Sequence, residues 1–449
     1  MAFRAAKLLL AAALPLLLVA ACSRPAPTET PNSPTRTVDW WVDQLTIEEK
    51  VGQLFWFGLP GPDLSPEAAT LVKEGKAGGF ILFARNGTDP DKLADLTGGL
   101  QRLTFERGRP TPGLVISIDQ EGGLVERFKA PFTSWPGAMA IGATGNPDRA
   151  AQVSRAIAQE LKAVGINMNL APDADVTNNP ANPVIGVRSF GSDPAKVGQF
   201  VVAAVKGTQE EGVSAVAKHF PGHGDTGTDS HLALPVIQAD RKRLDQVELV
   251  PFRAAIEANV DAVMVAHISF PALEPDGLPA TLSTRIITDL LKTELGFQGL
   301  VVTDAIDTMK AVTDHWGKSE SFIKAVQAGA DALLVTESFG EQARLYDAVL
   351  QAARSGQISK ERLDDAVRRN LALKAKRGLL PAEGAPAPVV KHPVNLATEA
   401  HWNLARAIGG EALTIVRKGG LPLKLTPEQN LVVVSPSSLA IRSGGLTDL

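Results

Sequence analysis

The sequence predicts an α/β fold, a (β/α)8 TIM-type barrel followed by a short α/β segment. Short apolar runs alternate with longer stretches of helical periodicity, which is typical of a parallel sheet with crossover helices. Eight such units occupy roughly 320 residues, a length that fits a barrel with insertions. An open doubly wound sheet is the alternative, but no G-x-G-x-x-G motif and no phosphate-binding loop follows the first run. The runs are Gly52–Leu59, Gly79–Ala84, Leu114–Ile118, Ile166–Leu170, Ser214–Ala217, Ala262–Ala266, Leu300–Thr303 and Ala332–Val335.

The composition is that of a folded protein larger than one average domain. The chain has 449 residues, of which 44% are hydrophobic and 21% are charged. Lys and Arg number 45 and Asp and Glu 49, so the net charge of −4 does not favour a nucleic-acid partner. The single cysteine, Cys22, excludes an intrachain disulfide and a cysteine metal cluster.

The first 22 residues resemble the signal peptide of a bacterial lipoprotein. Arg4 and Lys7 precede the uncharged run 8–21, which is shorter than the about 20 residues of a membrane span. The run ends Val-Ala-Ala before Cys22, where such signals carry the cysteine that is lipidated after cleavage. An ordinary signal peptide with a chance cysteine is the alternative. We expect an exported protein that is lipid-anchored through Cys22 at the bacterial cell envelope, with residues 23–37 as a flexible tether.

The predicted barrel, residues 38–380, carries ionisable side chains just after the C-terminal ends of its strands. Binding and reacting residues of such barrels lie at that position. Their convergence on one mouth predicts a pocket there. These residues are Asp119, Glu121 and Arg127 after the third run, Asp173, Asp175 and Arg188 after the fourth, Lys218, His219, His223, Asp229 and His231 after the fifth, His267 after the sixth, and Asp304 and Asp307 after the seventh.

Three of the seven histidines lie within thirteen residues of the loop after the fifth run. In one interpretation His219 and His223 bind a metal ion together with Asp229 or His231. Against it, the Phe-Pro-Gly between the first two prevents the helix that would align them. In the other, Asp229 and His231 point the same way in an extended segment, so the carboxylate orients the imidazole as a proton donor. We favour the second interpretation and expect neither a metal nor a cofactor.

Two aspartates at strand ends each have two interpretations. Asp304 is either a structural acceptor for loop amides or a reactive group at the barrel mouth, and Asp307 competes with it for any role. Asp119 has the same ambiguity, although Gly122 and Gly123 after it would let the backbone approach a ligand closely.

The basic residues at the mouth also have alternatives. Lys218 and His219 are interpreted either as ligand contacts or as members of buried ion pairs. His267 is explained equally well as a ligand contact and as a structural residue of the barrel wall. The remaining histidines, His315, His392 and His401, have no comparable context and are interpreted as structural.

Four motifs together resemble family 3 glycoside hydrolases, in the β-N-acetylglucosaminidase branch. The most specific is K-H-F-P-G-H-G-x4-D-S-H, complete at Lys218 to His231. I-D-Q-E-G-G at 118–123, N-P-V-I-G-V-R-S-F-G at 182–191 and G-L-V-V-T-D-A at 299–305 match in order and spacing. The resemblance covers about residues 40–378, the whole predicted barrel.

The resemblance implies retaining hydrolysis of terminal, non-reducing β-linked N-acetylglucosamine (GlcNAc), such as that of cell-wall muropeptides. It places the covalent nucleophile on Asp304 and the proton donor on His231, with Asp229 as partner of that histidine. A histidine thereby takes the place of the second carboxylate of most glycosidases. It implies substrate contacts at Asp119, Arg127, Arg188, Lys218 and His219.

Other functions stay open at this point. The same family includes β-glucosidases and β-xylosidases, which usually take the acid/base carboxylate from a second domain. A GlcNAc phosphorylase is a further alternative, because a histidine acid/base has been linked in the family to phosphate as acceptor. A non-catalytic surface lipoprotein that binds glycans is an alternative of another class. In every case we expect a monomer without a nucleic-acid partner.

The last part of the chain predicts a Pro-rich linker and a partial domain. Residues 381–393 form the linker, and residues 394–449 resemble the start of the family's second α/β domain. A helix is predicted at Leu396–Ile408, with strands at Ala412–Val416 and Leu431–Val434. About 55 residues are too few for that domain, so it is either reduced or truncated.

Overall fold

A computed structural model of the protein describes residues 36–227, 234–382, 385, 389–390, 392 and 396–414. The predicted signal peptide with Cys22, nearly all of the tether, most of the linker and the strand at 431–434 lie outside the described residues. Eight parallel strands form one sheet. They are β1 (Phe55–Gly58), β2 (Gly79–Leu82), β3 (Val115–Ile118), β4 (Met168–Asn169), β5 (Ser214–Phe220), β6 (Ala262–Val265), β7 (Leu300–Thr303) and β8 (Leu333–Val335).

The strands follow one another around a nearly closed barrel, as predicted. They pair in the order β8-β1-β2-β3-β4-β5-β6-β7, and a parallel bridge between Val302 and Ala332 joins β7 to the start of β8. Inserted after β3 is a short antiparallel hairpin, Gln120–Gly122 with Val125–Glu126. Each predicted apolar run therefore coincides with one strand of the barrel, although β5 continues three residues beyond the predicted run, to Phe220.

The α-helices described around this sheet are α1 (Val38–Gln44), α2 (Ile47–Leu54), α3 (Pro66–Lys73), α4 (Pro90–Phe105), α5 (Ala138–Ala143), α6 (Pro147–Ala163), α7 (Pro194–Glu210), α8 (Arg241–Gln246), α9 (Leu249–Glu257), α10 (Lys310–Trp316), α11 (Lys318–Ala328), α12 (Phe339–Arg354), α13 (Lys360–Lys376) and α14 (Glu399–Glu411). A π-helical segment, Arg285–Glu294, precedes β7. Single 3-10 turns lie at Ala84–Asn86, Gly186–Arg188, Ala280–Leu282 and Ile306–Thr308.

Three long helices begin with the same local chemistry. Asp89, Asn146 and Asp193 each accept the backbone N–H of the second helical residue and are followed by proline at the first helical position. Proline has no N–H to leave unpaired there, and its fixed φ suits a helix start. These caps fix where α4, α6 and α7 begin and therefore where the preceding loops end.

Alternation along the strands divides the core into two layers. Even-numbered residues of β7, Leu300 and Val302, pack inside the barrel with Trp56 and Val216, whereas Val301 faces the surrounding helices. Successive side chains of a strand point to opposite faces, so a residue two positions beyond an inward one also points inward. This register carries polar residues into the barrel mouth.

The first predicted strand is too long at its N-terminal end. Gly52 to Leu54 belong to α2, whose start is fixed by a capping box between Thr46 and Glu49. A Cβ at Gly52 would lie 2.1 Å from the carbonyl oxygen of Gly75, so the helix passes directly over that turn. The run continues from helix into strand with Gln53 as its single polar residue, and periodicity alone cannot divide it.

The C-terminal helix packs on the barrel. It begins at Glu399, after the cap residue Thr398, three residues later than predicted. Ile408 is buried, and the helix contacts α5 and α6. Ala412 to Thr414 are not in a strand, and the rest of that predicted strand lies outside the described residues. Within the described part of the chain, no helix is long and apolar enough to cross a bilayer.

Replacing Lys374 by methionine is expected to stabilise the protein. Lys374 in α13 is fully buried, its Nζ donates to Gln53 Oε1 at 2.6 Å, and burial lowers its pKa to about 7. The unfolded chain therefore binds the proton more tightly, so the penalty is fully present below pH 7 and fades as pH rises towards 10. We expect Lys374→Met to raise the free energy of unfolding by about 1–3 kcal/mol at pH 6.

Urea unfolding of the parent and Lys374→Met at pH 6 and pH 9 measures this difference. The gain should shrink at pH 9. A gain that is independent of pH, or a loss at both values, would contradict the buried-amine explanation.

Candidate active site

Three strands bring charged side chains into the same end of the barrel. Asp304 follows the inward-facing Val302 of β7 by two residues, and Lys218 follows the inward-facing Val216 of β5 in the same way. Asp119 lies just beyond β3, four residues after the inward-facing Val115. The register of the strands, rather than the loops, therefore aims these groups at one place.

Asp304 lines a cavity of about 160 Å³ at the C-terminal ends of the strands. The other charged side chains of its wall are Asp119 and Arg127. The remaining lining residues are Ile81, Phe83, Leu170, Met264, Ala305, Thr308, Met309, Leu334 and Thr336. A recessed cavity in which a few polar groups converge among apolar side chains is the usual form of a small-molecule site.

The surroundings of Asp304 keep its carboxylate ionised. Burial opposes ionisation, but the charge interaction with His267 and the hydrogen bond from the Ala305 N–H outweigh it and lower the pKa of Asp304 below its ordinary value. His219 contributes only in acid, where its own ring is protonated. The Ala305 N–H donates to Asp304 Oδ1 at 2.7 Å, and Lys218 adds a further attractive charge. An ionised carboxylate in a recessed cavity can act as a nucleophile at neutral pH.

Asp307, the competitor for this role, is a structural acceptor. Its Oδ2 accepts the backbone N–H groups of Thr336 at 2.7 Å and Glu337 at 2.8 Å. Both contacts tie the turn after β7 to the loop after β8. Asp304 faces the cavity and Asp307 does not line it, so the structure separates two residues that the sequence left as rivals.

A buried ion-pair network lies behind the cavity. Lys218 Nζ is 2.8 Å from Asp119 Oδ1 and 2.6 Å from Glu121 Oε1. Arg188 holds Glu121 with two bonds, Nε to Oε2 at 3.0 Å and an Nη to Oε1 at 2.8 Å. The network fixes Asp119 with its second oxygen towards the cavity side, where Arg127 lies 3.4 Å from it.

Lys218 therefore is an ion-pair partner, one of its two predicted alternatives. It is buried, and neither Lys218 nor Arg188 lines the Asp304 cavity. Of the five substrate contacts that the resemblance implies, only Asp119 and Arg127 lie in its wall. Of the other three, Lys218 pairs with Asp119, Arg188 pairs with Glu121 of the same network, and His219 binds Asp175.

The hairpin after β3 places Arg127. The Arg127 N–H donates to Gln120 Oε1 at 2.9 Å. Gly122 and Gly123 have φ of 86° and 63°, and a Cβ at Gly123 would lie 2.7 Å from Gly137 Cα. The glycine pair was expected to admit a ligand, but the close approach is to the chain's own segment at Gly137.

His219 and His223 share one carboxylate. Asp175 accepts the backbone N–H of His223 at 2.6 Å, the backbone N–H of His219 at 3.3 Å and lies 2.8 Å from His219 Nδ1. Burial and the charge of Arg188 lower the pKa of His219 to about 4, so this ring is neutral at pH 7. Burial likewise lowers the pKa of His223 to about 3.

The metal interpretation, which the sequence did not favour, needs His219 and His223 together with Asp229 or His231, and these last two lie outside the described residues. His223 Nδ1 lies 3.0 Å from Thr226 Oγ1. Ligand atoms of Asp173, Asp175 and His219 do lie within 4.8 Å of one another and could hold a metal ion. However, the guanidinium of Arg188 is 3.8 Å from Asp173 Oδ2, and a fixed cation there opposes a second one.

Burial, followed by the charge of Asp175, raises the pKa of Asp173 well above its ordinary value. Burial also raises the pKa of Asp175 to about 7, so both carboxyls of the set bind a proton more tightly than an ordinary aspartate. Protonation weakens a carboxyl as a metal ligand.

The predicted dyad of Asp229 and His231 lies outside the described residues. The described part of its loop ends at Gly227, after Thr226, whose hydroxyl is 3.1 Å from the side-chain nitrogen of Asn182. Asn182 also donates to the carbonyl oxygens of His223 at 2.8 Å and Gly224 at 3.0 Å. The loop that carries the dyad is thus anchored at its base beside Asp175.

Sequence reasoning missed the roles of Glu121, Asp175 and Asn182. Glu121 and Asp175 were noticed as polar residues at strand ends but were given no function. A signal was available for Glu121, because it lies two residues after Asp119 and shares its side of an extended segment. Nothing in the sequence indicates that Asn182 binds the histidine loop.

The other histidines of the described residues are explained by local contacts. His267 Nδ1 lies 2.8 Å from Thr281 Oγ1, and His267 also supports the charge of Asp304. His401 in α14 lies 2.7 Å from Glu160, and His392 lies 3.1 Å from Asp95. A larger cavity of about 280 Å³ lies at the N-terminal ends of β6 and β7, away from Asp304.

Replacing Glu121 by glutamine is expected to destabilise the protein. Burial would raise the pKa of Glu121, but Lys218 and Arg188 lower it to about 2. Because the pKa of Glu121 is lower in the folded protein than in the unfolded chain, where it is about 4.5, its ionised carboxylate stabilises the fold above pH 4.5. This stabilisation is lost as the pH falls towards 2. We expect Glu121→Gln to lower the free energy of unfolding by about 3 kcal/mol at pH 7, because Lys218 and Arg188 stay buried while one of their carboxylate partners is removed.

Urea unfolding at pH 7 and at pH 3 measures the loss, with Glu126→Gln as the matched control. Burial raises the pKa of Glu126, which accepts from Ser134 Oγ at 2.9 Å. The difference in unfolding free energy between the parent and Glu121→Gln should be smaller at pH 3 than at pH 7. Equal losses in both variants would rule out the ion pairs as the cause.

Comparison with known proteins identifies relatives of this chain. Beta-hexosaminidase A of Pseudoalteromonas piscicida is 37% identical over 383 residues, which cover 80% of this chain and 63% of that protein. The chain thus spans less than two thirds of the length of that relative. A β-N-acetylglucosaminidase structure of glycoside hydrolase family 3 from Paenibacillus sp. is 46% identical with a TM-score of 0.78, covering 82% of this chain and 69% of that one.

A more distant similarity is to the β-glucoside phosphorylase BglX. Its structure is 27% identical with a TM-score of 0.77 and covers 86% of this chain and 69% of that chain. The profile of the glycosyl hydrolase family 3 N terminal domain matches residues 46–373, which include the whole barrel. The chain therefore belongs to glycosyl hydrolase family 3.

Proposed function

We propose that this protein is a retaining exo-β-N-acetylglucosaminidase that hydrolyses terminal, non-reducing β-linked GlcNAc of cell-wall muropeptides or related glycans. The observation that carries the proposal is the position of Asp304. Asp304 follows β7 on the side that faces into the barrel. Its carboxylate lines a recessed cavity with Asp119 and Arg127 and has a lowered pKa. Family membership and the names of the relatives support the sugar and the bond.

In the first step an Asp304 carboxylate oxygen forms a bond to the anomeric carbon. The bond from that carbon to the leaving sugar oxygen breaks, and His231 donates a proton to this oxygen. In the second step a water oxygen attacks the anomeric carbon, His231 takes the water proton, and Asp304 leaves as a carboxylate. Two displacements at one carbon retain its configuration.

The residues around Asp304 have separate tasks in this scheme. Asp119, held by Lys218 at 2.8 Å, presents its second oxygen as an acceptor for a sugar hydroxyl, and Arg127 offers guanidinium donors. The apolar wall of Leu170, Met264 and Leu334 excludes water from the reacting carbon. A water-poor site strengthens the electrostatic interactions within it.

Phosphorolysis is the second candidate, favoured by the similarity to a β-glucoside phosphorylase structure. A β-glucosidase and a non-catalytic glycan-binding protein are the remaining alternatives. The combination of Asp304 with the Asp229 and His231 pair argues against a pure binding protein, because binding needs no such acid/base set.

One assay separates these functions. Protein beginning after Cys22 is given aryl β-N-acetylglucosaminide and aryl β-glucoside side by side, each with and without phosphate. Activity on the first substrate alone, abolished in Asp304→Asn, supports the proposal. Strong stimulation by phosphate indicates a phosphorylase, preference for the glucoside indicates a glucosidase, and silence on both substrates favours the binding protein.

We also propose that the protein is exported and anchored to the cell envelope by lipid on Cys22, with residues 23–37 as tether. The proposal is supported by the order of features in residues 1–22, where two positive charges are followed by an apolar run and then by Cys22. Detergent-phase partitioning of the full chain tests it. The parent should enter the detergent phase and Cys22→Ser should stay in the aqueous phase, whereas identical partitioning of both would contradict the anchor.

A further inference from the structure

The loop after β5 carries the predicted dyad, and the described start of this dyad loop, residues 222–227, is packed tightly on two sides. On one side, a Cβ at Gly224 would lie 1.8 Å from the carbonyl oxygen of Val176, in the loop after β4. On the other side, a Cβ at Gly222 would lie 2.8 Å from Glu248 Cβ. A larger residue at either glycine would displace a neighbour, so the chain fits closely between the two.

Four polar side chains form a cluster against the start of the dyad loop. Glu248, the residue before α9, is buried, and its Oε1 accepts from Asn178 Nδ2 at 3.1 Å. One Nη of Arg243, in α8, donates to the same Oε1 at 3.2 Å and to Asp225 Oδ2 at 3.3 Å. This Glu248 cluster therefore connects the dyad loop, through Asp225, to α8, to the start of α9 and to the loop after β4.

The hydrogen bonding of the Glu248 cluster is incomplete. In the part of the chain that the structure describes, Glu248 Oε2, Arg243 Nε and Asn178 Oδ1 are buried without a hydrogen-bond partner, and each such atom costs free energy. Burial also raises the pKa of Glu248 above its ordinary value, although the charge of Arg243 opposes the shift. The contact of Arg243 with Asp225 is partly exposed and stabilises the fold little. Departures from good packing of this kind are expected where function requires them.

We propose that Arg243 and Glu248 are positioning residues for the acid/base histidine. They hold Asp225, which precedes His231 by six residues in the dyad loop. Neither Arg243 nor Glu248 lines the Asp304 cavity, so they act through the loop and not on the sugar. Misplacement of a catalytic group by about 1 Å can cost about 10²-fold in rate. The inference rests on the proposed function, because it takes His231 as the proton donor.

The test compares two substrates whose leaving groups differ in their need for a proton, a disaccharide with terminal β-GlcNAc and nitrophenyl β-N-acetylglucosaminide. In Arg243→Gln the ratio of kcat/KM for the disaccharide to that for the nitrophenyl glycoside should fall roughly ten- to hundredfold. Arg241→Gln is the matched control and should keep the ratio of the parent. Arg241 lies in the same helix and is similarly exposed, but it pairs with Asp245 and Glu294.

A double-mutant cycle identifies the contact that carries the effect. Asp225→Asn should lower the same ratio as Arg243→Gln does. The double variant should lose no more than Arg243→Gln alone, because both changes remove one and the same contact. Additive losses in the double variant, an unchanged ratio in Arg243→Gln, or an equal loss on both substrates would overturn the inference.

Folding of the variants is measured separately, because Arg243→Gln leaves the buried carboxylate of Glu248 without its cation. If Arg243→Gln does not fold, Arg243→Gln/Glu248→Gln takes its place, since it removes both charges together. The same fall in the substrate ratio is expected for this pair of substitutions. A folded protein with the ratio of the parent contradicts the positioning role.

Hydrogen exchange separates failure of the positioning role from failure of the proposed function. If the parent cleaves neither substrate, the proposed function fails, and amide exchange in the peptide 222–233 still tests the contact. These amides should exchange roughly tenfold faster or more in Arg243→Gln than in the parent and in Arg241→Gln. Equal exchange in all three proteins overturns the positioning role.

Discussion

Asp304→Asn is expected to reduce kcat by at least about 10⁴-fold on every substrate of the parent, because removal of a covalent nucleophile closes the reaction path. The amide keeps the size of the side chain and its acceptor for the Ala305 N–H, now at 2.7 Å from Asp304 Oδ1. Folding should therefore be preserved. Steady-state kinetics and circular dichroism together measure the loss of rate without loss of structure.

Asp307→Asn is the matched control. Asp307 binds two backbone N–H groups with Oδ2, and the oxygen of asparagine can keep one such role, so kcat should stay within about tenfold of the parent. Asp304→Gly should also regain activity with azide, which fills the vacated space and attacks from the same face. The product would be an α-glycosyl azide. Equal loss in both asparagine variants would show that Asp304 is not the nucleophile.

His231→Ala is expected to lose about 10²–10⁴-fold in rate on substrates with poor leaving groups, the usual contribution of general acid catalysis. The loss should be much smaller on aryl glycosides whose leaving group needs no proton. Kinetics on a disaccharide and on a nitrophenyl glycoside give both values. The spacing of Asp229 and His231 supports this role, since residues two apart in an extended segment share a side.

His315→Ala serves as the control, because that exposed histidine contacts Trp316 and lies in α10 rather than in the predicted loop. It should behave as the parent on both substrates. A uniform loss in His231→Ala, the same for activated and unactivated leaving groups, would argue against a proton donor and for a positional role.

The sequence was sufficient to predict the barrel and the end of it that carries the site. Short continuous apolar runs mark buried strands, and in parallel barrels the reacting groups lie at the C-terminal ends of the strands. It could not place the start of β1, because Gly52 to Leu54 lead directly into the apolar residues of the strand and fit the end of a helix equally well. Apolar character alone does not distinguish the two.

The sequence predicts which residues belong to the site, but not which of them contact one another. Asp304 and Asp119 were identified, whereas the division of labour between Asp304 and Asp307 depends on which loop amides lie within 2.8 Å. The same holds for Lys218, whose two carboxylate partners lie about a hundred residues earlier in the chain. Such contacts follow from the closure of the barrel, which no local pattern contains.

The most direct test of the central claim is covalent trapping of the glycosyl intermediate. A 5-fluoro GlcNAc glycoside with an activated leaving group forms the intermediate but slows its hydrolysis, because fluorine destabilises the positive charge of the transition state. Mass spectrometry of the intact protein, followed by peptide mapping, should show one glycosyl unit on Asp304 and none in Asp304→Asn. Turnover without any adduct, or an adduct on a different residue, would contradict the account.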